Sequence, residues 1–95
     1  MKLISSRDNP TVKHLHALAT SARERRGSGE TLIDGAHLLG FALERGVQPK
    51  MVVVSESGRG QAEIAALLEA CSAFNCIELP DRLFAYVSPV DAPSG

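Results

Sequence analysis

The chain reads as an α/β domain, a three-layer α/β/α sandwich around a small and mainly parallel sheet. Apolar residues recur at helical spacing in four segments, and three short apolar segments of strand character lie between them. Met51-Val-Val-Val54 is a continuous β-branched run without alternation, the pattern of a strand buried on both faces. The order helix, strand, helix, strand, helix, strand, helix requires helical crossovers, and these give parallel neighbours with right-handed connections.

The first helix follows a short apolar lead, Leu3-Ile4, and the polar run Ser5 to Pro10. Asn9 is placed to cap it, and Pro10 suits the first helical position because proline lacks the amide that would be unsatisfied there. Val12, Leu15, Leu18, Ala19 and Ala22 form its apolar side, with Lys13, His16, Thr20 and Glu24 opposite, so the spacing predicts one amphipathic helix over residues 10–26. Arg23, Arg25 and Arg26 fall in the last turn, where cations complement the helix dipole, and Gly27 is placed to stop it in the left-handed conformation.

Thr31-Leu-Ile33 reads as a short strand, and Asp34-Gly35 turns the chain into a second helix carrying Ala36, Leu38, Leu39, Phe41, Ala42 and Leu43, closed by Gly46. Apolar residues cover most of that helix's circumference, which predicts burial. Gly40 at its centre costs about 1 kcal/mol against alanine and predicts close approach of another backbone. Asp34 is expected to interact with amides in the first turn. After Met51–Val54 and the loop Ser55 to Gly60, residues 62–73 form a third helix through Ile64, Leu67, Leu68 and Cys71. Cys76-Ile-Glu-Leu79 is the third strand, half exposed to judge by Glu78. Pro80 ends it, Asp81 is placed to cap a fourth short helix of Leu83, Phe84, Ala85 and Val87, and Ser88-Pro89 stops that helix. Residues 1–89 are therefore one domain, and 90–95 have nothing to bury and read as a linker.

Ninety-five residues suffice for one modest core, and with one Tyr, three Phe and no Trp that core is aliphatic. The net charge of −1 hides an asymmetry. Residues 1–26 hold Lys2, Arg7, Lys13, Arg23, Arg25 and Arg26 against Asp8 and Glu24, a net +4, while the remainder is −5. A cationic first third on an acidic body suggests one face suited to phosphates. Cys71 and Cys76 with no histidine nearby make a poor zinc site and read as reduced, buried thiols. No apolar run reaches membrane-spanning length and the start lacks a signal-peptide pattern, so a soluble cytoplasmic protein is expected.

No residue set forms an active site, so no catalytic residue, metal ligand or cofactor contact is expected in this chain. Ser5 and Ser6 have no base at a readable spacing. The 55–60 loop lacks the Lys-Ser/Thr of a nucleotide loop and reads as turn chemistry. His14 and His16, two apart on a helix, cannot share one face as a metal pair. His37 reads as a surface or packing residue.

Ile4-Ser-Ser-Arg-Asp-Asn-Pro-Thr-Val-Lys13, Leu18, the arginines, Leu32-Ile-Asp-Gly35 and His37-Leu38 together resemble the N-terminal substrate-binding domain of the SpoU/TrmH RNA methyltransferases. That family opens with an I-x-S-x-x-N-P-x-V-K-like segment and continues through a leucine and an arginine-bearing turn to F-L-V-E-G and a buried helix. The ungapped spacing sets Arg25 at the family's arginine, with Arg23 and Arg26 as alternatives. Thr31 stands where the pattern has Phe and Asp34 where it has Glu; the second keeps the charge. Leu83-Phe84-Ala85 and Pro93-Ser-Gly95 also resemble the family's approach to its catalytic domain. The resemblance implies a fold similar to the kink-turn-binding ribosomal proteins. It also implies a parent enzyme that moves a methyl group from S-adenosylmethionine to a ribose 2′-hydroxyl of ribosomal or transfer RNA. The catalytic domain that binds the cofactor and forms a homodimer would be a separate C-terminal unit, leaving this domain a monomer on its own.

These readings converge on an RNA-binding module in which Asn9, Lys13, Arg23, Arg25 and Arg26 contact phosphates, positioning the RNA rather than reading its sequence. The alternatives are an interaction module that docks on the catalytic domain without touching RNA, a small enzyme using the 55–60 loop for a nucleotide, and a free-standing kink-turn binder.

Overall fold

The computed structural model describes residues 1–89, so the expected linker over 90–95 lies outside the described residues. The elements are β1 (Lys2–Leu3), α1 (Pro10–Thr20), α2 (Ala22–Ser28), α3 (Ala36–Glu44), β2 (Met51–Ser55), α4 (Ala62–Ala70), β3 (Asn75–Leu79) and α5 (Asp81–Val87), with a 3₁₀ turn at Gly58–Gly60. The three strands form one parallel sheet in the order β1-β3-β2. The expected α/β sandwich with a small parallel sheet is therefore what the chain adopts.

Two of the three expected strands are present, and the third is elsewhere. Residues 31–34 form no strand; Leu32 is a half-buried contact of the core, while Thr31 and Ile33 face outward. The free edge of β3 is taken instead by the lead segment, with Lys2 opposite Ile77, Leu3 opposite Glu78, and the Ile4 amide donating to the Glu78 carbonyl at 3.0 Å. Two residues are too few to display a period, which is why the sequence shows only a short apolar lead there.

Strand alternation divides the interior. Ile77 and Leu79 of β3, joined by Met51 and Val53 of β2, meet Val12 and Leu15 of α1 and Leu83, Phe84 and Val87 of α5, with Ile4 at the edge. Val52 and Val54 alternate to the opposite face, crossed by α4 between β2 and β3, and are buried as are Ile64 and Cys71. Glu78 shares that second face and is only 8 % exposed, not half exposed as its charge suggested. Arg59 of the 3₁₀ turn folds back over it, with Nη1 2.8 Å from Oε1. That oxygen makes no well-directed hydrogen bond, so the two are held by charge.

The expected 10–26 helix is two helices. Ser21 is extended (φ −127°, ψ 113°); its amide closes α1 on the Ala17 carbonyl and its Oγ accepts from the Glu24 amide to open α2. Ser21-Ala-Arg-Glu24 has the spacing of a capping box, which sets a helix start inside an otherwise continuous helical pattern. Gly29, at φ 71°, is the left-handed stop, and Gly27 lies within α2.

The burial expected for α3 is also corrected. None of its residues is buried, and Leu38 and Phe41 are each 54 % exposed. Among the described residues only α4 packs closely on it, and these leave one side of an apolar helix uncovered. A β-carbon added to Gly40 would meet Leu67 Cδ2 at 3.8 Å, an ordinary contact, so no backbone approaches there. Gly46, at φ 82°, closes the chain behind α3 as expected.

Candidate nucleic-acid interface

The sequence-selected residues lie along α1 and α2. Asn9 caps α1, its Oδ1 accepting from the Thr11 amide at 2.8 Å, with Pro10 at the first helical position. Asn9, Lys13, His16 and Thr20 are spaced by four, three and four residues and share an arc of roughly 60° on the helix surface. Val12, Leu15 and Leu18 face the core beside that stripe. Lys13 is exposed near one end of α1; Arg23, Arg25 and Arg26 gather on α2 at the other, across a helix about 16 Å long.

The three arginines are not equivalent. Arg25 is half-buried and its Nη1 donates to the Leu18 carbonyl at 2.6 Å, capping a carbonyl in the last turn of α1. Arg23 and Arg26, three residues apart on α2, are exposed. The helix-capping role thus accounts for Arg25 and leaves the other two unexplained by the fold.

Ion pairing is uneven along the chain. Among the described residues, none of the six cations in residues 1–26 lies within ion-pair distance of a carboxylate. Beyond residue 26, Arg59 is tied to Glu78 and Lys50 to Glu30 at 2.7 Å. Glu30 also takes His14 Nε2 at 2.9 Å. Hydrogen bonds from Lys50 and then His14 hold the Glu30 carboxyl below its ordinary range, and Glu30 raises the Lys50 ammonium in return. Of the four cations beyond residue 26 two are thus paired, while Arg45 lies over the Phe41 ring and Arg82 has no carboxylate within ion-pair distance among the described residues.

One group of residues was missed from sequence. The His16 and Tyr86 rings are 3.9 Å apart and 4° from parallel, and the Arg7 guanidinium carbon lies 4.5 Å from the Tyr86 ring centre. His16 Nδ1 is 2.9 Å from the Tyr86 carbonyl, 70 residues away in sequence. No local signal connects positions that far apart; only the packing of α5 on α1 does.

The remaining candidates have structural employment. In the 55–60 loop, Ser55 Oγ accepts from the Gly58 amide at 2.9 Å, and the Ser57 amide donates to Asp81 Oδ1 at 3.0 Å. Asp81 therefore ties this loop to α5 instead of capping its own helix, and Pro80 occupies the cap position. Asp34 accepts from the Ser88 hydroxyl at 3.4 Å rather than from amides of α3, which has no side-chain cap. His37 is almost fully exposed, 3.9 Å from Glu63. Cys71 is buried, with its thiol pushed up by desolvation; Cys76 is only half-buried, and its Sγ lies 3.4 Å from the Cys71 carbonyl. Among the described residues there is no cluster of three or more metal-ligating side chains, and no helix is long and apolar enough to cross a membrane.

No curated protein matches the chain. The family model described as MRM3-like substrate binding domain matches residues 9–95. That match spans Asn9, Lys13, the arginines and Tyr86, and by it the chain belongs to the MRM3-like substrate-binding domains, a SpoU-family N-terminal domain of RNA 2′-O-methyltransferases.

Proposed function

We propose that this domain binds the RNA substrate of a ribosomal- or transfer-RNA 2′-O-ribose methyltransferase and holds it for a separate C-terminal catalytic domain. That domain would bind S-adenosylmethionine and work as a homodimer in the cytoplasm. The observation that carries the reading is the concentration of six cations in residues 1–26, none with a carboxylate partner among the described residues, along α1 and α2 and the segment before them. Family membership supports RNA as the polyanion. Lys13, Arg23 and Arg26 supply the phosphate contacts, Asn9 retains its amide N–H groups for the same purpose, and Arg25 chiefly fixes α2 against α1.

Titration with RNA followed by amide NMR shifts tests this. Shifts are expected along α1 and α2, and shifts confined to residues 55–79 would overturn it. The triple variant Lys13→Ala, Arg23→Ala, Arg26→Ala is expected to weaken binding at least tenfold near 0.1 M salt and to flatten the salt dependence by up to about three ions.

A second reading, docking on the catalytic domain without RNA contact, is favoured by the uncovered apolar side of α3. In the whole enzyme, Phe41→Asp would then disturb domain docking, while Arg23→Glu with Arg26→Glu would leave RNA affinity unchanged.

A further inference from the structure

Arg7, His16 and Tyr86 come from the loop after β1, the middle of α1 and the last turn of α5, yet they gather on one ring. Part of this is structural, since the His16 contact helps to clamp α5 to α1. The clamp leaves chemistry over. A carbonyl oxygen only accepts, so His16 Nδ1 carries the hydrogen donated to Tyr86, and Nε2 of the neutral ring is an acceptor. Nε2 has no partner among the described residues, and Arg7 is exposed with no carboxylate against it.

Position supplies the rest. His16 sits in the same stripe as Asn9 and Lys13, about one turn beyond Lys13, so the flat groups lie alongside the phosphate-binding cations. Planar side chains beside unpaired cations are the chemistry that holds unpaired nucleotides: the rings and the guanidinium plane take a base face, and the cations take the backbone. A duplex hides its base faces in the stack and offers no such surface.

We infer that the Arg7–His16–Tyr86 cluster is a platform for one unpaired nucleotide of the bound RNA, resting on the RNA-binding role proposed above. The base stacks against the cluster, and His16 Nε2 accepts a hydrogen bond from the nucleotide, from a base N–H or from the ribose 2′-hydroxyl. The cluster thereby adds a preference for single-stranded sites that Lys13, Arg23 and Arg26 lack.

Tyr86 is the only tyrosine and the chain has no tryptophan, so its emission reports on this cluster alone. Fluorescently labelled single-stranded RNA, the same strand with abasic sites, double-stranded RNA and the matching DNA strand are titrated into the domain. Anisotropy gives binding, and tyrosine emission, corrected for absorption by the nucleic acid, reports stacking. The expected result is saturable quenching by single-stranded RNA at the binding midpoint, with little quenching by abasic or double-stranded RNA. Arg7→Lys, which keeps the charge, and His16→Ala are each expected to weaken single-stranded RNA about tenfold and abasic RNA little. An equal loss for RNA and DNA on His16→Ala assigns the Nε2 partner to the base; a loss confined to RNA assigns it to the 2′-hydroxyl. Binding of base-bearing and abasic RNA with equal affinity and equal emission overturns the platform and leaves the phosphate reading intact. No binding of any RNA by the parent domain overturns both.

Discussion

Cys71 and Cys76 differ in reactivity for a reason visible in their surroundings. Cys71 is inaccessible, and desolvation raises its thiol, which keeps it protonated and inert, whereas Cys76 is partly exposed on β3. A water-soluble disulfide reagent near pH 8 is expected to modify Cys76 first, and Cys71 only at the rate of unfolding; mass spectrometry of the timed reaction distinguishes the two. Arg59 makes the second residue-scale case. Arg59→Ala leaves the Glu78 carboxylate on a buried strand face with no counter-charge, at a cost of about 1–3 kcal/mol in urea unfolding. Glu78→Gln with Arg59→Ala is expected to recover part of that loss, because the charge that needed a partner is gone. From sequence, Glu78 marked an exposed strand face; its burial depends on Arg59, which lies a whole helix earlier in the chain.

The elements reveal which signals were legible. β2 and β3 announce themselves as apolar runs, and α1 by its cap, proline and apolar period. The break at Ser21 was written in the sequence as a capping box, but the apolar period ran through it and the longer pattern prevailed. Thr31–Ile33 and Leu3–Ile4 are both short and apolar, and nothing local decides which reaches the edge of β3. The burial assigned to α3 failed because an apolar surface says what a helix is able to bury, not that this domain covers it. In the candidate site the cations were readable from their uneven distribution, while Tyr86 and His16 were not, since their meeting depends on the α1–α5 contact. The two glycines around the end of α2 test the revised boundary. Gly29→Ala forces a side chain into φ 71° and is expected to cost about 1 kcal/mol, whereas Gly27→Ala, helical and in open space, is expected to stabilise by about 0.5–1 kcal/mol. A stop at Gly27 would reverse that order in thermal melts.

At the scale of the molecule, charge is segregated by position, with the first 26 residues cationic and the remainder acidic. The His14–Glu30–Lys50 network joins α1, the segment after α2 and the start of β2 on the surface. With the Glu30 carboxyl lowered, its contribution to stability is present above the ordinary carboxylate value near 4.5 and is lost as the pH falls through the lower folded value. With the Lys50 ammonium raised, its share is present below 10.5 and lost as the pH rises through the higher folded value. Chemical denaturation across pH is expected to show a shallow plateau between these limits, and Glu30→Gln should remove the network's part of both slopes. Exposure keeps the effect small and makes it fade with added salt.

The sheet order carries a consequence for how the protein is made. Its middle strand is the last of the three to be synthesised, and both neighbours pair only with it. A nascent chain therefore holds β1 and β2 without partners until residue 79 has cleared the ribosome, and the amphipathic α1 waits with them. Assembly should then occur as one late event, so force measurements on stalled chains of increasing length would show a single step after β3 emerges rather than gradual gains.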